Sequence, residues 1–274
     1  MKSPLFFAVT PLSFVLASAS FAADPIMCSE AGPQTPRDIT SLMGNNTPDM
    51  DFAPASTDLN LCNIHTHTNA EHKGPGFSIF VGDDVHGGFA CNESDNLTEA
   101  ELNSDLDGAV KAGETIEVHW VHTSCDTPAA APGPSLAPCI ACENPVVRVE
   151  TQVFLVVNDR DALDFNEFAY HNNMVDGRPQ PISLPSGTGE PVQFWGSTTG
   201  PSFNSTDSCS PFTVTWSVRP QCAKVDIETV NAWFSVDEET GERADGSINV
   251  FKEDHSHGVR QLVINPDLLS QIGG

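Results

Sequence analysis

The chain has 274 residues, 39% of them hydrophobic, and a formal net charge of −25 from 37 acidic against 12 basic side chains. That length suits one sizeable domain. So acidic a surface repels polyanions, which excludes nucleic-acid binding and docking on anionic lipid, and it favours solubility, including in salty surroundings.

In chain order, residues 1–22 read as a secretory signal. Lys2 supplies the basic start, Leu5 to Phe21 the apolar run, and Ser20-Phe21-Ala22 a small-x-small cleavage site. The run contains Thr10, Pro11, Ser13 and Ser18 and is short for a membrane anchor. The expectation is cleavage and export, to a periplasmic or extracellular compartment. Removing these residues, which carry Lys2 and no acid, makes the net charge one unit more negative. No later segment is apolar enough to cross a bilayer. The eight cysteines, Cys28, Cys62, Cys91, Cys125, Cys139, Cys142, Cys209 and Cys222, suit an oxidising compartment, and their pairing is open from sequence. Cys139-Ile-Ala-Cys142 has no second closely spaced pair and follows a Pro-rich loop, so it reads as structural disulfide rather than redox or zinc motif. Asn45, Asn92, Asn96 and Asn204 lie in glycosylation sequons.

Residues 23–60, rich in Pro, Ser, Thr and Asp, read as an irregular N-terminal arm, and 61–274 as one domain. Strand signals begin near Leu61. Gly74 to Asp95 reads as loop around the apolar run Phe77–Val81, and the spacing of Leu97, Leu102, Leu106 and Val110 predicts a short helix. Thr115–Val121 reads as a strand, Thr127–Pro138 as a loop. The strongest strand is Val146–Val157, with Val147, Val149, Val153, Leu155 and Val157 on one face. Asn158 to Pro191 carries turn residues, and Thr213–Val218, Val225–Phe234 and Val259–Ile264 complete the strands. The expected fold is mainly β (β-rich α+β): a single domain built on a large, mostly antiparallel sheet with few short helices and long loops.

Two strands carry chemistry. In Asn63-Ile64-His65-Thr66-His67, alternation puts Asn63, His65 and His67 on one face and Cys62, Ile64 and Thr66 on the other. In Glu117-Val118-His119-Trp120-Val121-His122, Glu117, His119 and Val121 share a face and His122 opposes them. Were the two strands neighbours, His119 rather than His122 would complete a set of three imidazoles. Three nitrogen ligands with an open fourth position describe a catalytic zinc centre, and Asn63 and Glu117 fall beside the ligands as hydrogen-bond acceptors. An isolated H-x-H is weak, but five of the nine histidines fall in or just after these two stretches.

The same residues resemble the zinc-binding strands of the carbonic anhydrases: His65-Thr-His67, the Glu71-His72 pair, and Glu117-x-His119-x-Val121-His122. A third block, Gly196-Ser197-Thr198-Thr199-Gly200-Pro201 followed by Cys209 and Val214-Thr215-Trp216, is similar to the family's threonine-threonine loop and pocket tryptophan. Thr66 in place of an aromatic residue, the early Glu71 and Gly200-Pro201 depart from the α-type pattern and point to the δ-class. The resemblance implies reversible hydration of CO2 to bicarbonate by zinc-bound hydroxide, with His65, His67 and His119 as ligands. It gives Thr198 the task of accepting from the hydroxide and donating to Glu71, and Thr199 that of positioning substrate. Val121, Val153 and Trp216 would wall an apolar CO2 pocket. No match to the family's proton-shuttle histidine is found, and His72, His86, His255 and His257 are all open as proton carriers.

Two other readings fit parts of the pattern. His65-x-His67-x3-Glu71 matches half of a cupin motif, which would put Glu71 on the metal, although Leu59 stands where that motif has glycine. A non-catalytic exported zinc-binding protein would use His255-Ser-His257 and leave Thr198-Thr199 without purpose. No serine sits in a nucleophile-elbow pattern.

Overall fold

Val147–Val157 is the longest strand, and it has partners along both of its edges. The computed structural model describes residues 28, 30–84, 86–126, 137–198, 208–235 and 261–273. The signal segment, Thr199, His255, His257, Asn204 and most of the Thr127–Pro138 loop lie outside them. The strands are β1 Asn60–Thr68, β2 Phe77–Gly82, β3 Gly88–Cys91, β4 Thr115–Thr123, β5 Val147–Val157, β6 Met174–Val175, β7 Arg178–Pro179, β8 Val192–Ser197, β9 Thr213–Val218 and β10 Ala223–Asp226. Two α-helices are described, α1 Glu99–Leu102 and α2 Ile227–Phe234.

The main sheet runs β1-β4-β5-β9-β8, with β10 added on β5. The ladders β1/β4, β4/β5 and β8/β9 are antiparallel, while β9 and β10 run parallel to β5. Because β4 covers Val147–Leu155 along one edge of β5, β9 and β10 divide the other: β9 takes Arg148–Thr151 and β10 takes Phe154–Val157. β2 and β3 form a separate hairpin. The result is the β-rich domain expected, with a mixed sheet and little helix.

Both faces of the sheet are covered, so every residue of β4 and β5 is buried. One face packs Val147, Val149, Val153, Leu155 and Val157 with Val121, Phe194, Trp216 and the hairpin residues Phe77 and Phe89. These are the five β5 residues that alternation placed together. The other face packs Ile64, Val118, Trp120 and Phe154 against Phe165, Phe168 and the α2 residues Ile227, Val230 and Trp233. Burying apolar surface on both sides at about 25 cal/mol per Å² is the main force holding the sheet in place.

Several predicted elements change. Val225–Phe234 is a strand only through Asp226. The Asp226 side chain then accepts from Glu228 N and caps α2, whose Ile227, Val230 and Trp233 recur every third residue and bury one helical stripe. The β-branched content hid that period. The helix expected over Leu97–Val110 is a single turn, Glu99–Leu102. Thr98 and Glu101 open it with a capping box, but Asn103, Ser104, Asp105 and Gly108 do not continue it. Of Val259–Ile264, residues 261–264 join no strand, and Val263 N donates instead to Pro36 O. β8 was not anticipated. A bulge between Leu61 and Asn63 pairs Leu61 with His122 and moves Cys62 into the cluster on the histidine side, opposite to strict alternation.

All eight cysteines are paired: Cys28–Cys209, Cys62–Cys139, Cys91–Cys222 and Cys125–Cys142. Cys139 and Cys142 go to separate partners and form no redox pair. Four disulfides suit an oxidising compartment. Among the described residues, no helix is long and apolar enough to cross a membrane.

Residues 30–55 form no helix or strand, yet residues 33–37 and 39 are buried. Arg37 is fully buried; its guanidinium donates to the carbonyls of Ser41, Met43 and Ser270 and lies 5.1 Å above the Phe194 ring. Burial pushes its pKa down to about 10. One side chain thus ties the arm, the C-terminal segment and β8 together.

Candidate metal centre

The β1/β4 register sets the site. His65 pairs directly with His119, His67 with Glu117 and Asn63 with Val121, so the three histidines stand on one face of two adjacent strands. Their ring centroids are 5.1 Å (His65–His67), 4.9 Å (His65–His119) and 4.7 Å (His67–His119) apart. Each can aim one nitrogen so that all three lie within 4.8 Å of one another, and all are buried. His65, 7% exposed, is the most accessible of the three; His67 and His119 are each 1% exposed.

Hydrogen-bond partners decide which nitrogens are free to bind a cation. Asn63 Oδ1 lies 2.5 Å from His65 Nδ1 and can only accept, so Nδ1 carries the proton and Nε2 the lone pair. His119 Nε2 lies on the carboxylate side of its ring, 3.6 Å from Glu117 Oε2 and longer than a hydrogen bond, and Nδ1 is the nitrogen turned toward His65. Those two nitrogens, His65 Nε2 and His119 Nδ1, are 3.1 Å apart. Tetrahedral ligands about 2.0–2.1 Å from zinc are roughly 3.3 Å from each other. Two facing lone pairs at that separation repel unless a cation stands between them and the third ring. The donor set fits a metal ion.

A second group, Glu71, His72, Glu117 and His119, lies behind the His119 ring. Asn69 takes a left-handed φ of 61°, ending β1 and turning the chain back toward β4. Glu71 N then donates to Glu117 Oε2 at 2.7 Å, and His72 Nδ1 lies 3.3 Å from Glu117 Oε1. Burial pushes the Glu117 carboxylate up, but hydrogen bonds from His119 and His72 outweigh it and hold the group below the usual carboxylate range. Glu71 Oε1 is 3.8 Å from His119 Nε2. Glu71 therefore belongs to the far side of His119 and is not among the three converging imidazoles, which removes the cupin arrangement. The Trp216 ring lies 5.0 Å from His119 and 4.6 Å from His72, and Val121 and Val153 are buried on the same side.

His122 points to the opposite face, as alternation required. It is fully buried, its Nδ1 donates to Trp120 O at 3.2 Å, and burial pushes its pKa down to about 4. Among the described candidate proton carriers, His72 is buried and His86 is exposed on the β2–β3 turn.

Thr198 follows β8 directly. Its hydroxyl is 2.8 Å from the Ser210 hydroxyl. Ser197 O, one residue earlier, accepts from Trp216 Nε1 at 3.1 Å, which links the threonine to the wall of the histidine site.

The sequence profile of the family described as Delta carbonic anhydrase matches residues 56–229, well over half the chain and the whole of the site just described. The chain belongs to the delta carbonic anhydrase family. Its reaction is the reversible hydration of CO2, with CO2 and bicarbonate as small-molecule substrates. Among solved structures, the alpha-carbonic anhydrase from Thermovibrio ammonificans in complex with the inhibitor sulfanilamide matches with 13% identity and a TM-score of 0.30, over 85% of this chain and 84% of that one. No curated protein sequence matches.

Three residues that pack around Thr198 escaped sequence reading: Gln34, Thr35 and Ser210. Gln34 and Thr35 reach the Thr198 region from 162 to 176 residues away, and no local pattern marks them. Ser210 had a faint signal, since it follows Cys209 inside the third motif block.

Proposed function

We propose that the hydration of CO2 takes place at the His65–His67–His119 group, and that the ion held there is zinc. The convergence of three buried imidazoles, with His65 Nε2 and His119 Nδ1 3.1 Å apart and His65 oriented by Asn63, carries this reading. Three neutral imidazoles leave the ion its full charge, and zinc so held supplies hydroxide at neutral pH by acidifying its water to a pKa of about 7, a property of the enzyme class rather than of this chain's geometry.

The protein's own residues do the rest. Asn63 fixes the tautomer of His65, and Glu117 lies behind the His119 ring. The Thr198 hydroxyl would serve as the acceptor that orients the nucleophile toward the substrate carbon. The Thr198 hydroxyl shares a hydrogen bond with the Ser210 hydroxyl, 2.8 Å away, and the motif resemblance gives Glu71 as the acceptor of its proton. Glu71 works with Glu117 on His119. CO2 offers no charge and no donor, so an apolar wall of Val121, Val153 and Trp216 suits it. Thr199 is assigned to substrate on the motif alone. The four disulfides, with the signal read at residues 1–22, support export to a periplasmic or extracellular space.

The test is stopped-flow CO2 hydration by zinc-loaded protein, with a sulfonamide as inhibitor control. Turnover that follows zinc content and is blocked by the sulfonamide supports the reading. Stoichiometric zinc without turnover would leave only a zinc-binding protein.

A further inference from the structure

We infer that the N-terminal arm positions the Thr198 hydroxyl: Gln34 and Thr35 clamp the two segments between which it is held. Thr35 Oγ1 donates to Ser197 O at 2.6 Å, and Thr35 N donates to Ser197 Oγ at 3.2 Å. Ser197 is the residue before Thr198 in the chain. Gln34 uses both ends of its amide on Ser210: Nε2 donates to Ser210 O at 3.1 Å, and Ser210 N donates to Oε1 at 3.1 Å. Ser210 in turn holds the Thr198 hydroxyl. All four residues that make the clamp, Gln34, Thr35, Ser197 and Ser210, are buried, the last completely.

The chemistry explains why a clamp is needed. A hydroxyl that aims a nucleophile must be held to within a fraction of an ångström, and a loop end does not hold itself. Buried side-chain-to-backbone hydrogen bonds are costly to break, because each leaves an unsatisfied polar atom. Gln34 and Thr35 are consecutive, so one short piece of backbone fixes both flanks of Thr198 relative to each other. The Cys28–Cys209 disulfide fastens the arm covalently to the second of these segments, with Cys209 immediately before Ser210. The arm therefore acts as a positioning element of the active site, through Thr198 and not through the metal.

This inference rests on the role given to Thr198 above, and the experiment separates the two. Gln34→Met, Thr35→Val, Thr35→Ser and Thr198→Ala are made in the full chain. For each, zinc content, melting temperature, kcat and KM are measured, and Gln34→Met is repeated in the Thr198→Ala background. The expected result is a fall in kcat on the order of tenfold for Gln34→Met and Thr35→Val. Zinc content should stay at the wild-type level, KM should change little, and Thr35→Ser should restore turnover. Gln34→Met should cost little more once Thr198 is already alanine. Hydrogen exchange at the Ser210 amide should rise in Gln34→Met, independently of activity. Equal losses in both backgrounds, or full turnover in Gln34→Met and Thr35→Val while Thr198→Ala is impaired, would overturn the clamp alone. An unimpaired Thr198→Ala would overturn the reading of Thr198, and the clamp with it.

Discussion

His65 and His119 face each other across one rung of the β1/β4 ladder, with Nε2 of the first 3.1 Å from Nδ1 of the second. Alternation on β4 puts His122 on the other side of the sheet, so the two nearby histidines have opposite fates. His119→Ala should abolish zinc retention and CO2 hydration together. His122→Ala should leave zinc bound, while lowering stability by about 1–3 kcal/mol through the buried packing and hydrogen bond it removes. Metal analysis of both variants after dialysis decides the matter; zinc retained by His119→Ala would overturn the ligand set.

Asn63 Oδ1 accepts at His65 Nδ1 and so turns His65 Nε2 toward the other two rings. Asn63→Ala should weaken zinc binding by roughly 10- to 100-fold, the usual effect of removing such a support. Asn63→Asp keeps an acceptor at the same place and should hold affinity near the wild-type value. Chelator competition measures both, and equal affinity for Asn63→Ala and wild type would show that the 2.5 Å contact does not orient the ring.

The surface offers a prediction of another kind. With 37 acids against 12 bases, exposed carboxylates repel one another in the folded state more than in the expanded one. Screening relieves this, because the Debye length falls from about 30 Å at 0.01 M salt to about 8 Å at 0.15 M. The melting temperature should rise as sodium chloride is added across that range. A flat or falling curve would mean that the surface charge is locally compensated.

How much of this was legible in the sequence depends on how local the determinant is. Alternation located His65, His67 and His119 on one face, and the dense apolar pattern of β5 located the centre of the sheet. Both are properties of a few neighbouring residues. The α2 stripe was legible too, but Ile227, Val230 and Trp233 lie among residues that also suit a strand, and the deciding signal was the Asp226 cap. The bulge at Cys62 left no mark, since one extra residue in a strand changes facing without changing composition. Least visible was the arm. Its polar, Pro-rich sequence reads as irregular, which it is, but the meaning of Gln34 and Thr35 lies in partners more than 160 residues away.

His122 makes the stability of the protein sensitive to acid, and the sign follows from its burial. Desolvation lowers its pKa from 6.5 to about 4 in the folded state. A base with a depressed folded pKa binds fewer protons folded than unfolded. Its contribution is therefore fully present above pH 6.5 and is lost as the pH falls from there toward 4. A shift of that size corresponds to about 3 kcal/mol across the window. His122→Gln removes the titrating ring while keeping a side chain that can donate to the Trp120 carbonyl. Urea unfolding of wild type and His122→Gln at pH 7, 6, 5 and 4 should show the wild type losing more stability, with the two curves converging as the pH drops. Parallel curves would mean that His122 is protonated in the native state or reached by water, and that the acid sensitivity belongs to other groups.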